Sequence, residues 1–287
     1  MEIKRYRFMR YPEGRAKAVT LSYDDGIPED KRFSDIISEY GIKCTFNLNA
    51  KILRGDALTD EEIKEYMIGR GHEIAVHGAL HRAEGSQRPI EGIKDILDCR
   101  LELEERFGII VRGMAYPDTG INYFANGATY EKIKSYLTDL DIAYSRTLGG
   151  DNNSFMLPND WYAWMPTAHH NNPDLNRYIN EFLSLDLSEK AYLAKRAPIL
   201  FYLWGHSYEF ERNNNWEILY EFCEKIANKD DVWYATNIEI YDYIKAFESL
   251  ILSNDSKIIK NPSHLDVYFV KDNKEYLVKS GETIFVD

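Results

Sequence analysis

Residues 18–26 read Ala-Val-Thr-Leu-Ser-Tyr-Asp-Asp-Gly. A short apolar run that stops at paired carboxylates and a glycine has the form of a buried strand opening into a polar loop. Successive strand residues point to opposite faces, so Asp24 and Asp25 can reach one site only where the backbone turns, and Gly26 permits such a turn. Two adjacent acids placed in this way can divide the work, one binding a metal while the other stays free as a base. The plainer alternative is an acidic loop that caps the next helix.

Outward from this stretch, short apolar runs alternate with amphipathic segments, the signal of βα units feeding a parallel sheet. Strands are expected near 18–23, 43–48, 72–76, 112–116, 142–146, 162–167, 199–204 and 232–235. Helices are expected from Pro28, whose fixed φ suits a first turn, to Tyr40; from the Thr59/Glu62 capping box; from Pro89 to Phe107; and from Asn237 to about Leu250. The fold class is therefore α/β, a closed or nearly closed seven- or eight-stranded (β/α) barrel over residues 1–252. After Ser253 the pattern becomes short alternating segments separated by Asn-Pro, Asp-Asn and Ser-Gly turn signals. Residues 253–287 thus form a small antiparallel β appendage, too short to stand alone and packed on the barrel.

Composition narrows the function classes. The 287 residues carry 35 basic and 47 acidic side chains, a net −12, with no Lys/Arg run of the kind that neutralises phosphates, so nucleic acid is not an expected partner. The acidic surface gives no reason to expect a membrane partner either. Cys44, Cys99 and Cys223 are odd in number and widely spaced, which argues for buried thiols over a disulfide framework or thiolate zinc site. The N-terminal sequence MEIKRYRFMRYPEGR holds no apolar stretch of signal-peptide length, and nowhere do 18 consecutive apolar residues occur, so a cytoplasmic address is the expectation.

In a parallel barrel the loops at the C-terminal strand ends converge on one mouth. His77-Gly78-Ala79-Leu80-His81 follows the third strand, and a helical turn there would put the two imidazoles on one face, at a spacing suited to two ligands of one ion. Tyr116-Pro117-Asp118 follows the fourth strand, Asp160, Trp161 and Trp164 flank the sixth, and Trp204-Gly205-His206 follows the seventh.

With these residues in place, the sequence resembles the polysaccharide deacetylase (NodB-homology) family, carbohydrate esterase family four. Ser22-Tyr23-Asp24-Asp25-Gly26 stands for the family's Thr-Phe-Asp-Asp-Gly, and His77-Gly78-Ala79-Leu80-His81 for its His-(Ser/Thr)-x-x-His. The resemblance implies a distorted (β/α) barrel with Asp24 as catalytic base, His206 as general acid, and Asp25, His77 and His81 as ligands of a divalent metal, Zn²⁺ or alternatively Co²⁺, Ni²⁺ or Mn²⁺. It implies an acetylated carbohydrate as substrate, losing N-acetyl in preference to O-acetyl groups. Backbone N–H groups near Tyr116 and Asp118 would meet the oxyanion. Asp160-Trp161 is matched to the fourth motif, and Trp164, Trp204 and Tyr208 either stack on sugar faces or simply pack.

The sequence departs from the family in two motifs. Ala115 stands at the place of the arginine that orients the base, and Arg112, three residues along the strand, faces the other way. Leu-His-Asp becomes Gly205-His206-Ser207, which removes the usual carboxylate partner of the acid; Glu209 and Glu211 are the candidates to replace it. His169-His170, in the polar stretch TAHHNNP, read as solvated or as a substrate contact. Two rival readings follow: hydrolysis of a small non-sugar amide, and a non-catalytic carbohydrate-binding protein that retains the barrel.

Overall fold

The computed structural model describes residues 7–50, 57–148, 152–187 and 197–286. β1 (Arg7–Arg10) lies outside the main sheet, which is built around β2 (Lys17–Asp24). All eight residues of β2 are buried, as expected of a central parallel strand covered on both faces. The remaining strands of the sheet are β3 (Cys44–Leu48), β4 (Glu73–Val76), β5 (Gly113–Ala115), β6 (Tyr144–Arg146), β7 (Ala168–His169), β8 (Ile199–Gly205) and β9 (Val232–Tyr234). They run in the order β6-β5-β4-β3-β2-β8-β7, and β9 pairs with the first part of β2. Each pairing is parallel, with Asp24 opposite Asn47 of β3 and Tyr23 opposite Gly205 of β8.

Seven of the eight expected strands are present. The exception is the run at 162–167. Trp161–Ala163 forms a 3₁₀ turn capped by the Asp160 side chain, Trp164 makes a single parallel bridge to Arg146, and β7 has only two residues. Pro166 lacks the N–H that a continuous ladder would need. The segment nevertheless nearly closes the barrel: the Trp164 N–H donates to Ser145 O at 3.1 Å, and the Thr167 N–H donates to Tyr202 O at 2.8 Å.

Around the sheet lie α1 (Glu29–Glu39), α2 (Asp60–Tyr66), α3 (Pro89–Phe107), α4 (Tyr130–Asp139), α5 (Leu175–Ser184), α6 (Tyr208–Asn213), α7 (Glu217–Ile226) and α8 (Asn237–Glu248). The capping box of α2 is present: Thr59 accepts from the Glu62 N–H while Glu62 accepts from the Thr59 N–H. For α8 the cap is Thr236, one residue earlier than expected.

β10 (Ile251–Leu252), β11 (Ile258–Lys260) and β14 (Thr283–Phe285) form one small antiparallel sheet. A second comprises β12 (Val267–Lys271), β13 (Lys274–Val278) and β1, whose pairing the sequence reading did not anticipate. Their inner faces share a small core with Ala246 of α8 and Leu250 just beyond its end. The three cysteines are free and buried. Among the described residues no helix is long and apolar enough to cross a membrane.

Candidate active site

β2 delivers Asp24 to the mouth of the sheet as its last, fully buried residue. The backbone then passes through positive φ at Asp25 (90°) and Gly26 (69°), the turn needed to bring both carboxylates to one site. Asp24 Oδ1 accepts from Asn47 Nδ2 at 2.8 Å, and Oδ2 accepts from Arg146 NH2 at 2.5 Å. Arg146 ends β6, has no exposed surface, and lies with its guanidinium 4.3 Å from the Trp204 ring centre. Burial alone would raise the Asp24 carboxyl, but Arg146, His77, His206 and the Asn47 hydrogen bond outweigh it and hold the group at about 2.

The arginine absent at position 115 is thus supplied from the next strand. Sequence reasoning missed both Arg146 and Asn47, although each stands at or near the C-terminal end of an expected strand. Arg112 pairs with Asp242 on α8, away from the site, in keeping with its expected direction.

His77 follows β4, and its Nδ1–H donates to Ala115 O at 2.9 Å, which leaves Nε2 to face Asp25 Oδ1 at 4.0 Å. No helical turn links it to His81. Gly78 (φ 75°) and His81 (φ 52°) fold the chain into a tight loop instead, pinned by Asp95 Oδ1, which accepts from the Leu80 N–H at 3.0 Å. A Cβ at Gly78 would sit 2.6 Å from Asp95 Oδ2, so the loop needs glycine for space as well as for φ. The two imidazole centres end up 4.9 Å apart, and His81 Nε2 lies 3.6 Å from Asp25 Oδ1. Ligand atoms of Asp25, His77 and His81 all fall within 4.8 Å of one another. Two imidazoles and a carboxylate, one ring already fixed by a carbonyl, fit the donor set of a divalent transition metal. Burial lowers the His77 imidazole despite its two carboxylate neighbours.

His206, after β8, faces the same acid, its Nε2 3.7 Å from Asp24 Oδ2. Its Nδ1 lies 3.6 Å from Glu209 Oε1, one turn along α6. Of the two candidate partners Glu209 therefore has the position, whereas Glu211 accepts from Trp216 Nε1 at 2.8 Å. Burial pulls the His206 imidazole down, but Glu209, Asp24 and Asp25 together raise it above its ordinary value. Burial would raise Glu209, yet the imidazoles of His169, His170 and His206 beside it hold its carboxyl far below the usual range. Ser207 Oγ donates to buried Asp30 at 2.6 Å. His170 is buried rather than solvated, a correction to the sequence reading, and burial lowers its imidazole to about 4.

The remaining candidates divide. Trp204 belongs to the cluster, its ring 4.7 Å from His169 and 6.1 Å from His206, and Tyr208 stands 5.3 Å from His206. Tyr116 is buried, its hydroxyl donating to Tyr162 O and its N–H donating to Arg146 O. With that amide committed to the sheet and Pro117 carrying none, only the Asp118 amide of this stretch is left for an oxyanion. Asp160 caps the 3₁₀ turn and pairs with Lys134 at 2.6 Å. Trp161 packs on Tyr241 and Trp164, and Trp164 is buried against Tyr144 and Tyr202. These three take their partners outside the acid–imidazole cluster.

The family model described as polysaccharide deacetylase matches residues 4–135. Over these residues the chain is similar to the polysaccharide deacetylase family. The match takes in Asp24, Asp25, His77 and His81 but stops before Arg146, His206 and Glu209. Among solved structures, a Mycobacterium smegmatis protein described as a polysaccharide deacetylase is 18% identical with a TM-score of 0.58, covering 86% of this chain and 96% of its own. The Xyl-CE4 domain of a multidomain xylanase from the hindgut metagenome of Trinervitermes trinervoides is 16% identical with a TM-score of 0.51, covering 80% and 92%. At these identities the likeness shows the fold: the deacetylase barrel. No curated protein matches the chain.

Proposed function

We propose that the chain is a metal-dependent hydrolase that removes acetyl groups, N-acetyl in preference to O-acetyl, from a carbohydrate. The observation that carries this reading is Asp24, ionised between Arg146 and Asn47, with the Asp25/His77/His81 donors and His206 both close to it. Asp25, His77 and His81 would hold the divalent ion. Zn²⁺ suits this donor set, and such an ion, when bound, polarises an acyl oxygen and acidifies water.

The chain's own residues supply the rest. Arg146 and Asn47 fix the two oxygens of Asp24, so the carboxylate is oriented to take the proton of the attacking water. As the water oxygen bonds to the acyl carbon, the Asp118 amide would meet the developing oxyanion. The C–N bond then breaks as His206 gives its proton to the departing nitrogen. An amine cannot leave as an anion at neutral pH, and an imidazole held in its charged form by Glu209 suits this step, which favours the amide over the ester. Trp204 offers an aromatic face beside the reacting groups.

The two departures that open the non-catalytic reading are both filled in space, by Arg146 and by Glu209, which supports the enzyme. The test is acetate release from a panel of acetylated sugars, with small cyclic amides beside them and Zn²⁺ supplied. Asp24→Asn should abolish release while the protein keeps its metal, and His77→Ala should lose both. A near-normal rate in Asp24→Asn would remove Asp24 as the base, and turnover of the cyclic amides alone would replace the sugar substrate.

A further inference from the structure

Beyond His206 lies a second group of donors, of which the proposed reaction uses only Glu209, through its other oxygen. His169 and His170, at the end of β7, and Glu209 of α6 offer ligand atoms within 4.8 Å of one another. Glu209 Oε2 lies 3.2 Å from His169 Nε2 and 3.1 Å from His170 Nε2. Donors bound at about 2.0–2.1 Å to a tetrahedral ion stand roughly 3.3 Å apart, so these are the separations of neighbouring corners of one coordination tetrahedron. They do not have the form of ordinary hydrogen bonds. His170 Nε2 is buried and has no hydrogen-bond partner, although the carboxylate oxygen is so near, because that oxygen lies off the direction in which a ring N–H points.

The surroundings hold the buried ring in this pose. Its face lies against Gly205, where an added Cβ would come within 2.0 Å of His170 Nδ1, and Phe210 stacks on it at 4.1 Å. The Tyr23 hydroxyl stands 3.2 Å from His170 Nδ1, where it can accept the Nδ1 proton and leave the Nε2 lone pair for a metal, the outer partner that a ligating imidazole needs. Asn171 Nδ2 donates to Glu209 Oε2 at 2.9 Å, which still leaves that oxygen a lone pair. The Asn171 N–H donates to His169 Nδ1 at 3.1 Å, so without an ion the His169 proton sits on Nε2. An entering ion takes that place, the proton moves to Nδ1, and this one contact opens.

We propose that His169, His170 and Glu209 form a second divalent-metal site, for zinc or an ion of similar donor preference, separate from Asp25, His77 and His81. Occupation would tie down Glu209 Oε2 while Oε1 faces His206 Nδ1 at 3.6 Å, so the ion would hold the partner of His206 in place.

The experiment titrates the tag-free, chelator-stripped full chain with Zn²⁺ alone, by calorimetry and by elemental analysis after dialysis. The expected result is two ions per chain, falling to one in His169→Ala, to one in His77→Ala, and to none in the double variant. His169 is partly exposed and its replacement spares the buried ring; Glu209→Gln gives the same loss without shortening a side chain, and far-UV circular dichroism checks that each variant is folded. One ion per chain that His77→Ala removes and His169→Ala leaves in place would overturn the second site while the catalytic metal stands. One ion removed by His169→Ala and kept by His77→Ala would support it and sink the catalytic metal. No retained ion would overturn both.

Discussion

Replacing Arg146 with methionine tests the arrangement at its centre. The guanidinium is wholly buried and 2.5 Å from Asp24. In the wild type the Asp24 carboxyl, at about 2 against an ordinary 3.8, contributes about 2 kcal/mol of stability above pH 4, lost as pH falls toward 2. Removing the arginine leaves a buried carboxylate without its strongest counter-charge, a change that costs about 3–5 kcal/mol. At roughly 2.1 cal/mol/K per residue, 287 residues unfold with an entropy near 0.6 kcal/mol/K, so Tm should fall by about 5–8 °C. The sign of the pH dependence also reverses. With burial no longer offset by Arg146, the Asp24 carboxyl rises above its unfolded value, so the folded state binds the extra proton. The deficit should then be smaller at pH 5 than at pH 8. Thermal melts of the wild type, Arg146→Met, Asp24→Asn and the double variant at both pH values complete the cycle, and the double variant should recover much of the loss because no unpaired charge remains. An Arg146→Met protein that melts within a degree of wild type at pH 8, or a double variant whose loss is the sum of the singles, would refute the reasoning.

Two further outcomes follow from the same neighbourhood. Asp30 is buried and pushed up to about 7 by that burial; its protonated form carries stability that is complete below about pH 4 and lost as pH rises through 7, so Asp30→Asn should gain a few kcal/mol, at most about 4, at pH 8 and nothing at pH 4, read from urea midpoints. Glu209→Gln should lower the His206 imidazole, and the alkaline limb of the kcat profile should move to lower pH, whereas Ser207→Ala, which loses only a hydrogen bond to Asp30, should leave that limb in place.

What the sequence displays and what it conceals follow from locality. Asp24, His77 and His206 are legible because each ends an apolar run, and the barrel brings strand ends together whatever the details of the loops. The pairing of Arg146 with Asp24 spans 122 positions and depends on how β6 approaches β2 across the nearly closed sheet, which no local pattern encodes. The His77/His81 pair was legible for a different backbone from the one adopted: a helical turn and a double left-handed loop both bring positions four apart together. His170 misled because its neighbours are polar, while the feature that buries it, a glycine face on β8, lies in another segment. At 162–167 the apolar run resembled a strand, and Pro166 was the mark against it.

The geometry also bears on how one acid can follow one base. His206 lies between two carboxylates, Asp24 at 3.7 Å from Nε2 and Glu209 at 3.6 Å from Nδ1, and both favour its charged form. Glu209 keeps its charge throughout the proposed reaction. Asp24 does not: once it takes the water's proton it is neutral, and one of the two charges that held the proton on His206 is gone. The imidazolium then becomes a stronger acid at the stage when the leaving nitrogen needs a proton. Base and acid are thereby ordered by their electrostatic coupling. A base fixed by Arg146 at the end of β6 serves this purpose as well as one fixed from position 115, because the coupling depends on the distance between Asp24 and His206 and not on which strand supplies the guanidinium.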